Sequence, residues 1–300
     1  MQEEQAARIQ RGQGFVAALD QSGGSTPDAL ARYGITEGSW SSQAAMFELM
    51  HTFRTRIITS PAFTGDKILA AILFERTMER DLDGLGIPDY LWQRKQIVPF
   101  LKVDRGLAEA ADGVRLMKAI PDLDGLLAFA RMRNVFGTKM RSLVLGANQA
   151  GVDAVLDQQF EVARTILDAG LVPIIEPEVD IHAPDKPLAE AMVTAGILDR
   201  LAQLPASERV MLKLTIPTET DLYLDLIGHA RVLRVVALSG GYSREEANRL
   251  LAENTGLIAS FSRALTEGLQ VSMPGDEFDA ALAASVGSIH AASIHGASIN

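Results

Sequence analysis

"VMLKLTIP", residues 210–217, wraps one lysine in apolar neighbours and closes on a proline. A run this short, rich in aliphatic residues and ended by a turn former, reads as a buried strand. Strand side chains alternate between faces, so Lys213 shares one side with Met211 and Thr215, while Leu212 and Leu214 take the other. The leucines then pack outward against helices, and the ammonium faces inward. Burying an unpaired ammonium costs several kcal/mol unless it gives up its proton. Lys213 is therefore either paired with an acid or chemically employed.

Seven more runs of the same kind flank it: "GFVAALD" (14–20), "KILAAILF" (67–74), "IVPFLKVD" (97–104), "FGTKMRSLV" (136–144), "LVPIIEPEV" (171–179), "RVVALSGG" (234–241) and "LIASFSRAL" (257–265). Amphipathic stretches lie between them. "AVLDQQFEVARTILDAG" (154–170) ends at a glycine of the kind that caps helices, and "SREEANRLLAENTG" (243–256) opens with a serine three residues before a glutamate. Alternating strands and helices imply right-handed βαβ units on a parallel sheet. Eight such units in 300 residues fit an α/β fold of the (β/α)8 TIM-barrel type as a single domain, residues 1–300. A doubly wound open sheet is the competitor, but no G-x-G-x-x-G follows the first strand. The last stretch, from about residue 285 to 300, is small and polar and is expected to be a mobile tail.

Composition narrows the function. A net charge of −10 disfavours nonspecific attraction to nucleic acid or anionic membranes, so an anionic substrate would need a local cationic pocket. There is no cysteine, which rules out disulfides, thiol nucleophiles and thiolate metal sites. The start "MQEEQAARIQ" has no apolar signal core, and no stretch nears the ~20 apolar residues of a membrane span; a cytoplasmic protein is expected. The five histidines are scattered without H-x-H or H-E-x-x-H, and no metal site is expected.

In a barrel the strand C-termini and the loops after them build the active site. Here they carry Asp20, Lys102 and Asp104, Lys139 and Arg141, Glu176 and Glu178, Lys213, the Ser239-Gly240-Gly241 turn, and Arg263 on strand eight. A salt bridge between Lys213 and a strand-five glutamate is the plain structural reading. Against it, the cations outnumber the two or three acids in view, so a bound anion is the simpler accounting. A lysine becomes nucleophilic where an apolar pocket and a nearby cation favour the free amine, and Lys139 with the apolar flank of Lys213 meets both conditions. The chemistry expected is a Schiff base with a carbonyl, Glu176 serving as acid and base and Asp20 taking a hydroxyl proton. "ALSGGYS" (237–243) offers successive backbone N–H groups and a helix start, which after strand seven suit a phosphate. "LDQSGGST" (19–26), with Ser22 and Ser25, is either a second phosphate loop or a tight turn.

The stretches "VAALDQSGGST", "LKVDRG", "GTKMRS", "PIIEPEV", "VMLKLTIP", "ALSGGYSREEAN" and "SFSRAL" together resemble the class I, Schiff-base fructose-1,6-bisphosphate aldolases, in a bacterial branch. The resemblance runs from residue 14 to about 270. It implies a metal-independent lyase without cofactor that reversibly cleaves fructose 1,6-bisphosphate to dihydroxyacetone phosphate and glyceraldehyde 3-phosphate, in glycolysis and gluconeogenesis. It implies a sugar phosphate as partner and a homo-oligomer as the assembly. Residue by residue, Lys213 matches the Schiff-base lysine, Glu176 the proton acceptor, Glu178 its companion, Asp20 the aspartate at the C4 hydroxyl and Lys139 the second lysine. Arg141 and Lys102, aided by Ser22 and Ser25, match the 6-phosphate end, and Ser239, Gly240, Gly241 and Arg263 the 1-phosphate site. Two departures stand out. Gln21 replaces a glutamate common in animal members, and "HGASIN" lacks their terminal tyrosine, leaving another group, water or His295 to move the enamine proton. The same residues also admit a Schiff-base aldolase for another phosphorylated sugar, or a barrel that only binds sugar phosphates.

Overall fold

A computed structural model describes residues 2–295. All eight runs form parallel strands: β1 (Phe15–Leu19), β2 (Ile68–Leu73), β3 (Val98–Lys102), β4 (Gly137–Val144), β5 (Val172–Val179), β6 (Val210–Thr215), β7 (Val232–Leu238) and β8 (Ile258–Phe261). Neighbours in sequence are neighbours in space, β8 returns to β1, and β3 pairs with β4, which closes the barrel. An antiparallel strand, Val114–Arg115, folds back against the upper half of β4.

Alternation decides what each strand does. Val16, Ala70, Ile72, Phe100, Ile174, Met211, Val236 and Ile258 point inward and form the barrel's own core. Gly137 belongs to this layer, because a Cβ there would lie 2.6 Å from the Phe100 ring. Leu212, Leu214, Met140, Ile175 and Ala237 belong to the outer core shared with the helices, so the leucines beside Lys213 face outward as their spacing predicts. Helix Gln2–Arg11 stoppers the N-terminal end of the barrel, with Ile9 joining the inner cluster and Arg234 of β7 donating to the Gln10 and Gly12 carbonyls.

The predicted helices form with wider bounds or narrower ones. "AVLDQQFEVARTILDAG" forms the later part of helix Gln149–Asp168, which is capped by the Asn148 side chain, and its final Gly170, at φ +75°, stands just past the helix end. The second forms as Arg244–Ala252, and its serine caps it as expected, Ser243 Oγ accepting from the Glu246 N–H at 3.2 Å. Arg263 corrects the sequence reading: β8 stops at Phe261, and Arg263 opens a helical turn, Arg263–Thr266.

The expected mobile tail is also corrected over most of its length. Helix Gly275–His295 covers β8 and buries Val286, Ile289, Ala292 and Ser293, and Ser293 Oγ accepts from the Ala259 N–H at 3.1 Å. Alanine and serine at this density make a helix whose small side chains let it lie close to the strand. Residues 296–300 lie outside the described residues. The helix descends towards the N-terminal end of the barrel, where a Cβ at Gly287 would lie 3.9 Å from the Lys67 ammonium and His290 hydrogen-bonds with the Gln13 backbone. His295 therefore sits at the end opposite the strand C-termini and cannot serve the proton transfer considered for it.

Candidate active site

Inward alternation on consecutive strands brings the predicted chemistry to one mouth. Its cavity, about 450 Å3, is lined by Asp20, Ser22, Ser25, Lys102, Arg141, Glu176, Glu178, Lys213, Ser239, Gly240 and Arg263. Lys139 lies beneath this surface, only 4% exposed. Gly241 stands behind the wall, its α-carbon facing Arg263 and Ile181.

The centre is an alternating chain of charges. Glu176 bridges two ammonium groups, Lys213 at 3.0 Å through Oε1 and Lys139 at 2.6 Å through Oε2. Lys139 continues to Asp20 Oδ2 at 3.1 Å. The salt bridge foreseen as the plain structural reading is thus present. Burial works against charge on Lys139, but Asp20, Glu176 and Asp104 outweigh it and hold the ammonium above its ordinary range. Burial likewise opposes charge on Asp20, yet Lys139, then Lys213 and Lys102, pull its carboxyl well below the usual carboxylate range.

The rim departs from the expected charge count. Lys102 is paired with Asp104, and Arg141 with Glu178. Burial lowers the Lys102 ammonium despite Asp104, and Arg141, also disfavoured by burial, is raised by its bond to Glu178. The acids were therefore undercounted: Lys102 and Arg141 each already have a carboxylate. Among the described residues, Arg263 and Arg32 line the mouth without an ion pair.

Beside Arg263 the Ser239–Tyr242 turn bends sharply, the Ser239 carbonyl accepting from the N–H groups of Gly241 and Tyr242. Gly240 holds φ +60°, and a Cβ there would meet Ile181 Cγ2 at 2.4 Å. Across the mouth, Ser22 and Ser25 bond to each other's backbone around the short helix Gly23–Ser25. The loop after β1 is held from below by Arg54, a residue the sequence reading passed over. Its buried guanidinium donates to Thr77 Oγ1 at 3.0 Å and to the Gln21 carbonyl. Gln21 in turn donates to Ser262 Oγ at 2.7 Å, so the glutamine at this position ties β1 to β8 beside Arg263. Asp104, Ser260, Ser262 and Thr266 also line the mouth without having been singled out as site residues. Inward parity marks Ser260; Arg54 sits mid-helix and carries no signal in the sequence.

Among the described residues no three His, Asp or Glu side chains are arranged to hold a metal ion, and no helix is long and apolar enough to cross a membrane.

Fold and mouth define a (β/α)8-barrel enzyme centred on buried amines and carboxylates. Residues 3–220 match the family model for class-I fructose-bisphosphate aldolase. The chain is 58% identical over 292 residues to the class 1 fructose-bisphosphate aldolase of Synechocystis sp., covering 97% of each chain. A solved structure of the Plasmodium falciparum fructose-bisphosphate aldolase, bound to TRAP and a small-molecule inhibitor, superposes with TM-score 0.74 at 20% identity, covering 100% of this chain and 95% of that one. The chain belongs to the class I fructose-bisphosphate aldolases, the aldehyde-lyases that work through a lysine Schiff base.

Proposed function

We propose that Lys213 forms the Schiff base and that the residues around it divide the remaining proton transfers. Glu176 takes a proton from the Lys213 ammonium, freeing the amine to attack C2 of fructose 1,6-bisphosphate. The same carboxyl returns that proton to the carbinolamine hydroxyl, which leaves as water and gives an iminium. Asp20 accepts the C4 hydroxyl proton while the C3–C4 bond breaks. Glyceraldehyde 3-phosphate departs, and the bonding pair remains as an enamine. One proton is added at C3, Asp20 gives up through solvent the one it took from the C4 hydroxyl, and addition of water at C2 then releases dihydroxyacetone phosphate and restores Lys213 and the Asp20 carboxylate. Lys139 holds Asp20 and Glu176 in place, and Glu178 orients Arg141.

The observation that carries this reading is Glu176 within hydrogen-bonding distance of both lysines. Asp20, held ionised by Lys139, Lys213 and Lys102, enters the cleavage step as a proton acceptor. The 1-phosphate is assigned to the N–H groups of Ser239 and Gly240 with Arg263, Gly241 closing the turn through its bond to the Ser239 carbonyl, and the 6-phosphate to Lys102 and Arg141 with Ser22 and Ser25. Two separate anion ends suit a bisphosphate better than a monophosphate. The reaction is assigned no metal or other cofactor, and the enzyme is placed in the cytoplasm as a homo-oligomer, which light scattering would test.

Borohydride reduction in the presence of dihydroxyacetone phosphate should fix one adduct, on the peptide carrying Lys213. An unmodified Lys213 in reduced, inactivated enzyme would refute the assignment. Activity should persist in excess EDTA, and its loss would mark a metal-dependent reaction.

A further inference from the structure

We infer that Thr215 is a positioning residue, whose hydroxyl replaces missing backbone pairing between β5 and β6 and so sets the distance from Glu176 to Lys213. The inference rests on the reading of Lys213 as the Schiff-base lysine. β4 and β5 are in register over their full length, from Gly137↔Val172 to Val144↔Val179. β5 and β6 are not: their pairing consists of Ile174↔Met211 and Ile175↔Leu212, and it stops where Glu176 would face Lys213.

The reason lies in the chain. Backbone groups of successive strand residues point to opposite neighbours. The Asp180 N–H bonds to the Val144 carbonyl of β4, so residues 177 and 179 direct their backbone groups towards β6. Residue 177 is proline, which has no N–H to donate. Beyond it the two strands are joined again by a side chain. Thr215 Oγ1 accepts from the Val179 N–H at 2.9 Å and donates to the Val179 carbonyl at 2.7 Å. One hydroxyl thus supplies both the acceptor and the donor of a ladder pair. It is itself fixed, because buried Tyr223 donates from its hydroxyl to the Thr215 carbonyl at 2.9 Å.

The ladder is interrupted at the level where Glu176 meets Lys213 on the inner face, and the clasp above it keeps the two strands from separating there. Thr215 touches no reacting atom; it acts through the strand that carries Lys213. Catalytic groups misplaced by about an ångström lose large factors in rate. Thr215→Val keeps the shape and removes both hydrogen bonds, whereas Thr215→Ser keeps the hydroxyl and removes the methyl.

The test is the rate at which borohydride with dihydroxyacetone phosphate labels Lys213, measured beside kcat and KM. The Val variant is expected to label roughly tenfold more slowly and to lose kcat by a similar factor at unchanged KM, while the Ser variant stays within about twofold of the parent enzyme. A Val variant that labels as fast as the parent would overturn the clasp and leave Lys213 standing. So would a slow Ser variant, even if the Val protein failed to fold. Absence of label on Lys213 in the parent enzyme would remove the underlying reading, and the clasp with it.

Discussion

Lys139 shows how one buried side chain can govern the ionisation of its neighbours. It is the common partner of Asp20 and Glu176, and removing it leaves two carboxylates facing each other in a closed space. Breaking a buried ion pair from one side typically costs about 3–5 kcal/mol, so Lys139→Met should lower the denaturant midpoint accordingly. The pH dependence follows from the two shifts. The raised ammonium gives its full contribution below the unfolded lysine value of about 10.4 and loses it as pH climbs through the higher folded value. The depressed Asp20 carboxyl contributes above its unfolded value of about 3.9 and fades only as pH falls through the lower folded value. Between these limits the contribution of these two groups in the parent enzyme is constant, and its urea titrations should show no pH dependence from this pair between about pH 5 and 9. In the variant Asp20 loses its strongest cation, so the acid limb of its kcat/KM profile should move to higher pH.

Among elements, the Ser239–Tyr242 turn joins β7 to the helix Arg244–Ala252 and lines the mouth with Ser239 and Gly240. Its shape depends on Gly240, whose positive φ costs other residues about 1–2 kcal/mol and whose missing side chain is the space occupied by Ile181. Gly240→Ala should raise KM for fructose 1,6-bisphosphate about tenfold while leaving borohydride labelling by unphosphorylated dihydroxyacetone unchanged. Adding Ile181→Ala should recover part of the loss, since it clears the 2.4 Å collision but not the backbone strain. A turn that served only as a connector would show neither the split between the two substrates nor the recovery.

At the scale of the molecule, the barrel is closed at one end by its first helix and flanked by its last. Helix Gly275–His295 buries Phe278, Leu282, Val286, Ile289 and Ala292, and Phe278 also lies under the Arg56 guanidinium, 4.0 Å from the ring centre. Deleting residues 285–300 removes Val286, Ile289 and Ala292 and strips the cover from β8. At about 1.5–3 kcal/mol for each large aliphatic, that is several kcal/mol out of a typical total of 5–15. The truncated chain should melt more than ten degrees lower or aggregate, as calorimetry would show. A dispensable tail would leave the melting temperature unchanged.

The run "VMLKLTIP" and its seven counterparts were enough to establish eight strands and the inward face of Lys102, Lys139, Arg141, Glu176, Glu178 and Lys213, though not the place of Arg263. Strand parity is local: two residues apart means the same side, whatever the tertiary setting. Lys213, Glu176, Asp20, Lys102 and Arg141 therefore reach one mouth as their spacing says, while Ser239, two residues after outward-facing Ala237, reaches it through the turn that follows β7. Tertiary packing decided what parity cannot express. It paired the rim cations with acids, placed Lys139 under the surface, buried the small-residue helix after residue 275 and put Arg54 behind Gln21. Each of these depends on distances between segments far apart in the chain, and burial and pairing are properties of those distances. The clasp at Thr215 lies between the two cases. Its proline and threonine are plain in the sequence, but the gap they span exists only where two strands, 36 residues apart at Val179 and Thr215, lie side by side.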